Sequence, residues 1–597
     1  MSVLNYDTGI VKAVSRRYRG EKRIIPQAAP DYHRAKHTEA IKLISRYLSK
    51  AFVVFLMVHL TAGFAESGAG RISANLENYL SAGTQARRFW IGCAPISVRQ
   101  EIAKVYAKRG YRPIWVDENR LLDAGREFIK AAGEAGHHGL LPDDYYHGCL
   151  AEWQKRLASR ELGRFDGRNL AAMDIMLSHA FFKYADHLAH GKIDPLSVYS
   201  SEMIEYPEKN KAQKILGFLG DMKTPYDVRQ ALQALAPAGD GYKAATAQAA
   251  RLQKRMASGA QVHLDSGEVL QKGDKSPAVL QLRQILAAEG DLKKVEKTSL
   301  SPVFDAGVKK ALMRFQKRHG LAADGVAGRK TMAALNRPLH DRMHTIRANL
   351  ERRRWLPRKP ARRRIVINSA GFELNAWENQ DRVLKMRVIS GTKSEMTPLL
   401  TKDMAHLVIN PYWNVPPGIL EKKVLPKIRE NPDYFAENHF EVLSGWQAND
   451  TRVSPEAINW SNVYIRNFPG RLRQKPGPWN ALGQIKFIFP NRFSIYLHDT
   501  PEQHLFQRRV RAFSSGCIRV EKPVELALFI LKTNPLWDRS RIEKIIKSGK
   551  TTAVRVHDRI AVHLVYRTFW VSPGGVVNYR KDVYELDKAL EKALDSQ

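Results

Sequence analysis

The residue pattern predicts a multidomain α+β protein: a helical scaffold domain, a small three-helix domain, and a mostly β, sandwich-like domain with an inserted capping segment. Three observations carry this. The chain has 597 residues, more than one hydrophobic core serves. From about Pro95 to Asn336 its apolar residues recur at helical spacing. After Arg364 they fall into short runs broken by turn residues, the texture of β-structure. An apolar share of 44% supplies material for several cores.

The first 65 residues read as a basic leader followed by a signal peptide or anchor. The apolar run Ala51 to Ala65 is broken only by His59, Thr61 and Gly63. It is shorter than the roughly 20 apolar residues of a spanning helix and suits a signal core. Gly63 and Ala65 supply small residues, which puts cleavage after Ala65, with an uncleaved anchor as the alternative. Arg16-Arg17 lies too far upstream of the apolar core for a twin-arginine signal. The expected location is therefore periplasmic, exported by this N-terminal signal. Lys plus Arg exceed Asp plus Glu by 96 − 60 = +36. Such a balance calls for an anionic partner: nucleic acid, a membrane surface or an acidic polymer such as cell wall. Only three cysteines are present. Cys93 and Cys149 are able to pair but read better as buried thiols, and Cys517 is left over.

Residues 66–269 are expected to form the helical scaffold domain. "NLAAMDIMLSHAFFKYADHLAHGKID" reads as a long buried helix, with shorter ones at "KNKAQKILGFLG" and "YDVRQALQALAP". His179, His187 and His190 lie on or near the long helix without acidic or Cys partners at ligand spacing, so no metal is assigned to them.

Residues 270–336 form a separate unit. Val279, Leu282, Ile285 and Leu286 mark one helix face, and Val308, Ala311, Leu312 and Phe315 mark a second at i, i+3, i+4, i+7. Asp324-Gly325 is a turn before a third, short helix. The Val-x-x-Leu, Ala-Leu-x-x-Phe-Gln and Asp-Gly-x-x-Gly-x-x-Thr pattern resembles the peptidoglycan-binding domain of wall enzymes. Residues 337–363 come next as a basic linker. Its Arg-rich stretch from Arg347 to Arg364 has the look of a nucleic-acid arm, but no nucleic-acid partner is assigned, because nothing else in the chain supports one.

Residues 364–597 carry the β-texture. "RIVINSAGFELNAWENQDRVLKMRVISG" reads as three strands with turns at Ala370-Gly371 and Glu378 to Asp381. Residues 412–472 are mixed in character and interrupt the strands like a lid. Strands resume with "LGQIKFIFP" and "SIYLHDT", and two or three more precede a final helix.

Within this part, Cys517 sits in "AFSSGCIRVEKP". Acyl transfer by a thiol needs a thiolate, a base, a group that orients the base and donors for the oxyanion. His498, at the end of an apolar strand 19 positions upstream, is a better-held base than His504 in its polar turn. Gly516 permits a sharp turn. The backbone N–H groups of Ser515, Gly516 and Cys517 are candidate oxyanion donors. Ser514 is the candidate partner that fixes the His498 tautomer. Tyr496 shares a strand face with His498, since side chains alternate with period two. Arg519 is suited to a bidentate grip on a substrate carboxylate.

His498, fifteen residues, then Ser514-Ser515-Gly516-Cys517-Ile518-Arg519 resembles the signature of the L,D-transpeptidase family with its YkuD-type catalytic domain. The usual pattern has His where Ser515 stands. The long, YcbB-like subgroup with a peptidoglycan-binding domain carries Ser there, and "NPYWNVP", "KPGPWNALGQIKFIFPN" and "YLHDTP" are similar to it as well. The resemblance implies Cys517 as nucleophile, His498 as base and Ser514 as orienting group, with no cofactor and no metal. It implies transfer of a tetrapeptide stem from its diaminopimelate–D-Ala bond to a second diaminopimelate amine, giving 3→3 cross-links. Implied partners are peptidoglycan, in its tetrapeptide stems and glycan strands, peptidoglycan synthases, and carbapenem β-lactams as inhibitors. Alternatives are the same thioester chemistry with another acceptor (a lipoprotein lysine, water or a D-amino acid), or a non-catalytic wall-binding protein. A papain-like protease is disfavoured because papain-like chains place Cys before His.

Overall fold

The computed structural model describes residues 68–596, apart from 82–87, 92–93, 98–99, 160–165, 206–212, 293–300 and single positions 119, 260, 266 and 448. The basic leader, the apolar run before residue 66 and Cys93 lie outside the described residues. The chain divides into two units, Met1–Ser67 and Gly68–Gln597, and all the described elements belong to the second. No helix among the described residues is long and apolar enough to cross a membrane.

Helices α1 (Gly68–Ser81), α2 (Gln100–Lys108), α3 (Asp123–Gly133), α4 (His147–Ser159), α5 (Gly167–His190), α6 (Gln213–Gly220), α7 (Pro225–Leu235) and α8 (Asp240–Ala257) build the scaffold. The 24-residue α5 is its axis, started by the Asp166 side chain accepting from the Asn169 N–H. It is buried almost all round, as befits a helix with apolar residues on every face. Its one buried carboxylate, Asp174, accepts the backbone N–H groups of Ile114, Trp115 and Val116 and the Tyr106 hydroxyl. A buried anion is tolerable only with such a full set of donors. His187 bonds the Tyr145 hydroxyl and His190 the Asp186 carboxylate, so both serve helix packing. Cys149 on α4 is disulfide-bonded, which corrects its reading as a buried thiol. Cys517 is free.

The small domain is built as its periodicity predicts, on α9 (Pro277–Ala288), α10 (Ala306–Arg318) and α11 (Arg329–Leu335). Val279, Leu282, Val308, Leu312 and Phe315 are fully buried in its core, each stabilising it by about 1.5–3 kcal/mol. Gly325 occupies the left-handed region at φ +73°, and its N–H donates to the Gln316 side chain, whose amide also holds Asp324 and Thr331.

Residues 337–363, expected as a basic linker, instead contain the buried helix α12 (Leu339–Trp355). Four of its five arginines are matched by carboxylates, most of them from distant parts of the chain, while Arg353 donates to main-chain carbonyls. Arg342 meets Glu289, Arg347 meets Asp595, Arg352 meets Asp587 and Arg354 meets Glu351. Glu351 also accepts the Ile193 N–H, tying α12 to the end of α5. Leu339, Met343, Ile346 and Leu350 pack on Tyr242, Ala249 and Leu252 of α8. Much of the positive charge on α12 is thus paired inside the protein.

The C-terminal part is a curled sheet of 12 strands. In chain order these are β1 (Ile204–Glu205), β2 (Arg363–Asn368), β3 (Glu373–Glu378), β4 (Asp381–Gly391), β5 (Leu399–Asp403) and β6 (His406–Ile409). A second, four-stranded sheet interrupts them with β7 (Trp413–Asn414), β8 (Phe440–Leu443), β9 (Arg452–Val453) and β10 (Arg471–Gln474). The main sheet resumes with β11 (Ile485–Ile488), β12 (Leu497–His498), β13 (Ala512–Ser514), β14 (Ile518–Val520), β15 (Thr552–Arg555) and β16 (Ala561–Val565). Its spatial order is β15-β6-β11-β12-β14-β4-β3-β2-β16-β5-β1, with β13 paired to β4. The edge strand β1 comes from the scaffold, running parallel to β5. Strands β2 to β4 and their two turns stand where the sequence places them. The core lies inside the curl, among Ile365, Leu374, Val388, Leu407, Phe487, Leu497, Ile518 and Val562, and under helices α13 (Pro523–Leu531) and α14 (Arg539–Ser548). The last two strands, β17 (Phe569–Val571) and β18 (Val577–Tyr579), form a hairpin outside this sheet, followed by α15 (Leu586–Asp595). The hairpin packs on α8 and α12, and Tyr579 stacks on His319 of the small domain. The interrupting sheet has its own core of Val415, Leu420, Ile428, Val442 and Leu472.

Replacing Glu351 by Ala leaves Arg354, with no exposed side-chain surface, without its carboxylate. Denaturant unfolding is expected to show a loss of about 3–5 kcal/mol. A loss below about 1 kcal/mol would mean that the α12 charges do not hold the scaffold to the sheet.

Candidate active site

The site is set by strand pairing. β12 runs parallel to β14 with His498 beside Arg519 and Leu497 beside Ile518. On its other side β12 is antiparallel to β11, with Lys486 across from His498 and Phe487 across from Leu497. One step earlier, the Ile518 N–H donates to the Tyr496 carbonyl, bringing Tyr496 alongside Cys517. Because side chains alternate, Phe487, Leu497 and Ile518 all point into the core. Lys486, Tyr496, His498, Cys517 and Arg519 therefore share the other face. The Tyr496 and His498 rings meet edge to face, 5.7 Å apart.

His498 is buried, and its Nδ1 lies 2.5 Å from the Asp499 carbonyl. A carbonyl only accepts, so the proton sits on Nδ1 and Nε2 keeps its lone pair. Burial, followed by the charges of Arg519 and Lys486, pushes its pKa down to about 3. The imidazole is neutral, in the form a base requires.

Cys517 is half-buried, and its thiol lies 3.9 Å from the Ser494 carbonyl. Burial pushes the thiol pKa up, against hydrogen bonding from Tyr496 and the cations Lys486 and Arg519. The resting pair is thus thiol and neutral imidazole. Gly516 holds φ +102°, and its carbonyl accepts the Thr397 hydroxyl at 2.8 Å. A Cβ there would meet Ile495 Cδ1 at 3.1 Å in a backbone conformation that L side chains rarely adopt. The N–H groups of Ser515, Gly516 and Cys517 donate to no other group of the protein among the described residues.

Two expectations need correction. Ser514 does not hold His498. Its hydroxyl donates to the Cys517 carbonyl at 2.5 Å, bracing the turn at the thiol, while the Asp499 carbonyl orients the imidazole. A main-chain partner leaves no trace in residue identity, which is why the Ser514 hydroxyl looked like the natural candidate. Arg519 is not a free carboxylate receptor either, because its guanidinium pairs with Glu502, although its Nε has no partner. Ser515 accepts from Lys423 Nζ at 2.6 Å, and Lys423 also reaches Glu395 at 3.2 Å. The interrupting sheet domain thereby touches the residue two before the thiol. Lys486, Lys423 and Thr397 were not singled out by the sequence pattern. Only Lys486 carried a signal, as a lysine within the apolar run "IKFIF". His504 is exposed on a short 3-10 turn.

Elsewhere, His344, Glu591 and Asp595 bring three ligand atoms within 4.8 Å of one another. Arg347 already pairs with Asp595, and His344 with Glu591.

Residues 362–546 match the family described as "L,D-transpeptidase catalytic domain", 275–335 "Putative peptidoglycan binding domain" and 100–248 "Scaffold domain". A protein of Haemophilus influenzae named "Putative L,D-transpeptidase" is 38% identical over 229 residues, 38% of this chain and 45% of that protein. The match thus spans less than half of that relative. Two crystal structures of L,D-transpeptidases, from Xylanimonas cellulosilytica and Stackebrandtia nassauensis, share 17% and 12% identity. They cover 50% and 51% of this chain and 99% and 97% of their own, with TM-scores of 0.16 and 0.19, too loose to inform the site.

The unfolded chain takes up a proton at position 498 as pH falls through 6.5, whereas the folded imidazole resists until about 3. Protonation in that window favours unfolding, so stability falls as pH drops. His498→Gln removes this dependence. Between pH 7 and pH 4 the variant is expected to lose about 3 kcal/mol less unfolding free energy than the parent. Parallel pH–stability curves would refute the buried neutral imidazole.

Proposed function

We propose that this chain, which carries an L,D-transpeptidase catalytic domain beside a peptidoglycan-binding domain, forms 3→3 cross-links through a Cys517 thioester. The observation that carries the reading is the shared sheet face, on which neighbouring strands present a free thiol and a neutral imidazole whose tautomer is fixed. As Cys517 attacks the carbonyl at the L-centre of diaminopimelate, its proton passes to His498 Nε2. With the imidazole pKa so low, transfer accompanies attack instead of preceding it. The N–H groups of Ser515, Gly516 and Cys517, with the Tyr496 hydroxyl, receive the oxyanion. The imidazolium returns the proton to the departing D-Ala amine, leaving a thioester. The side-chain amine of a second diaminopimelate then adds, His498 takes its proton, and collapse releases the cross-linked peptide and the thiol.

Residues 270–336 hold the glycan strand and place the chain at the wall, in the periplasm. Residues 412–472 act as a lid. The Lys423–Ser515 contact supports this, since it closes the lid on the nucleophile turn and excludes water from the thioester. A carbapenem acylates the same thiol as its β-lactam ring opens.

Cys517→Ala is expected to abolish 3→3 dimers from purified tetrapeptide muropeptides and the mass adduct with a carbapenem. Retained dimer formation would overturn the reading. Lys423→Ala is expected to divert thioester to water, so that chromatography shows free tripeptide rising several-fold against dimer. An unchanged product ratio would remove Lys423 from the role of latch.

A further inference from the structure

The charges on the thiol's sheet face do not balance. Arg519 has Glu502 as its counter-ion. Lys486 has none: it makes no ion pair and no hydrogen bond among the described residues, and its ammonium rests on the Tyr496 ring, 3.8 Å from the centroid. It is half-buried on a central strand, directly across from His498. Burial without a counter-ion is costly for an ammonium, and here it pulls the Lys486 pKa down. A purely packing role does not explain the charge, since an aliphatic side chain would cover the ring as well. Attraction to the ring face fixes Nζ without using up its three N–H donors. The strand pairing sets the same Tyr496 alongside Cys517, so the ring carries the ammonium on the thiol's face of the sheet.

We propose that Lys486 is a substrate-binding residue that receives a carboxylate of the peptide acylating Cys517, a carboxylate only a few bonds from the carbonyl under attack. The identity of that peptide rests on the function proposed above, whereas the anion site does not. A docked carboxylate also offsets one of the two cations that disfavour protonation of His498, so anionic substrates ease the proton transfer that neutral ones do not. The site therefore selects stems with a free carboxylate over amidated ones.

The test uses the purified full chain and two alkylating probes of similar size, anionic iodoacetate and neutral iodoacetamide. In both reactions Cys517 Sγ displaces iodide, and peptide mass spectrometry locates the adduct. Lys486→Met is expected to lower the iodoacetate-to-iodoacetamide rate ratio about tenfold, equivalent to about 1.4 kcal/mol. Lys486→Arg is expected to keep the ratio near that of the parent, and matching thermal melts confirm that both variants fold. With tetrapeptide muropeptides, Lys486→Met raises KM while kcat changes little. An unchanged ratio overturns the proposal. So does an equal slowing with both probes, which would make Lys486 a partner of the thiolate alone, or an equal fall of the ratio in Arg519→Met. Failure of the cross-linking reading leaves the probe ratio interpretable, because alkylation needs only the thiol.

Discussion

The site depends on a two-residue stretch of parallel pairing between β12 and β14. Backbone hydrogen bonds set Leu497 beside Ile518, and those two side chains are driven into the core together. Their neighbours, Tyr496 with Cys517 and His498 with Arg519, must then emerge together on the opposite face. A slip of one residue would bury the thiol and expose Ile518. The apolar core thus enforces the register, and the register assembles the chemistry.

That strand pair is central in a sheet whose edge is completed by the scaffold. Strand β1 extends the sheet beside β5, and α12 joins the small domain and the C-terminal helix through pairs to Glu289, Asp587 and Asp595, and the scaffold through Glu351, which accepts the Ile193 N–H. Buried pairs of this kind are weak sources of net stability but penalise any misplaced partner heavily. Their effect is to fix how the three parts meet. The small domain is held to the β17–β18 hairpin by the His319–Tyr579 stack, and the Arg580 side chain donates to the Arg318 carbonyl. The small domain and the thiol accordingly keep one separation, unlike modules on a free tether.

Electrostatics at the site run in one direction. Lys486 and Arg519 disfavour an imidazolium, and both favour an anion at Cys517. Burial opposes the thiolate. The two groups therefore rest neutral, as thiol and imidazole. Lys423 gripping Ser515 adds a physical barrier at the same turn. The Ser515 hydroxyl is what this lysine holds.

Helices α9 and α10 and the turns between β2, β3 and β4 were legible in the chain, and Cys517 and His498 stood out as candidates, because each rests on local spacing: a helical period, an alternating strand or a Gly-flanked thiol. The partner of His498 was not, since it is a main-chain carbonyl and carries no residue signature. Nor was the character of α12, whose arginines look like a surface run until carboxylates more than 200 positions away are brought against them. Glu502 took Arg519 out of free service, and a register of three strands brought Lys486 to the thiol. Local pattern specifies elements and the identity of reactive groups. Which charges are neutralised, and which one stays unpaired on the thiol's sheet face among the described residues, is decided only when distant segments meet, because charge pairing depends on separation in space and not along the chain.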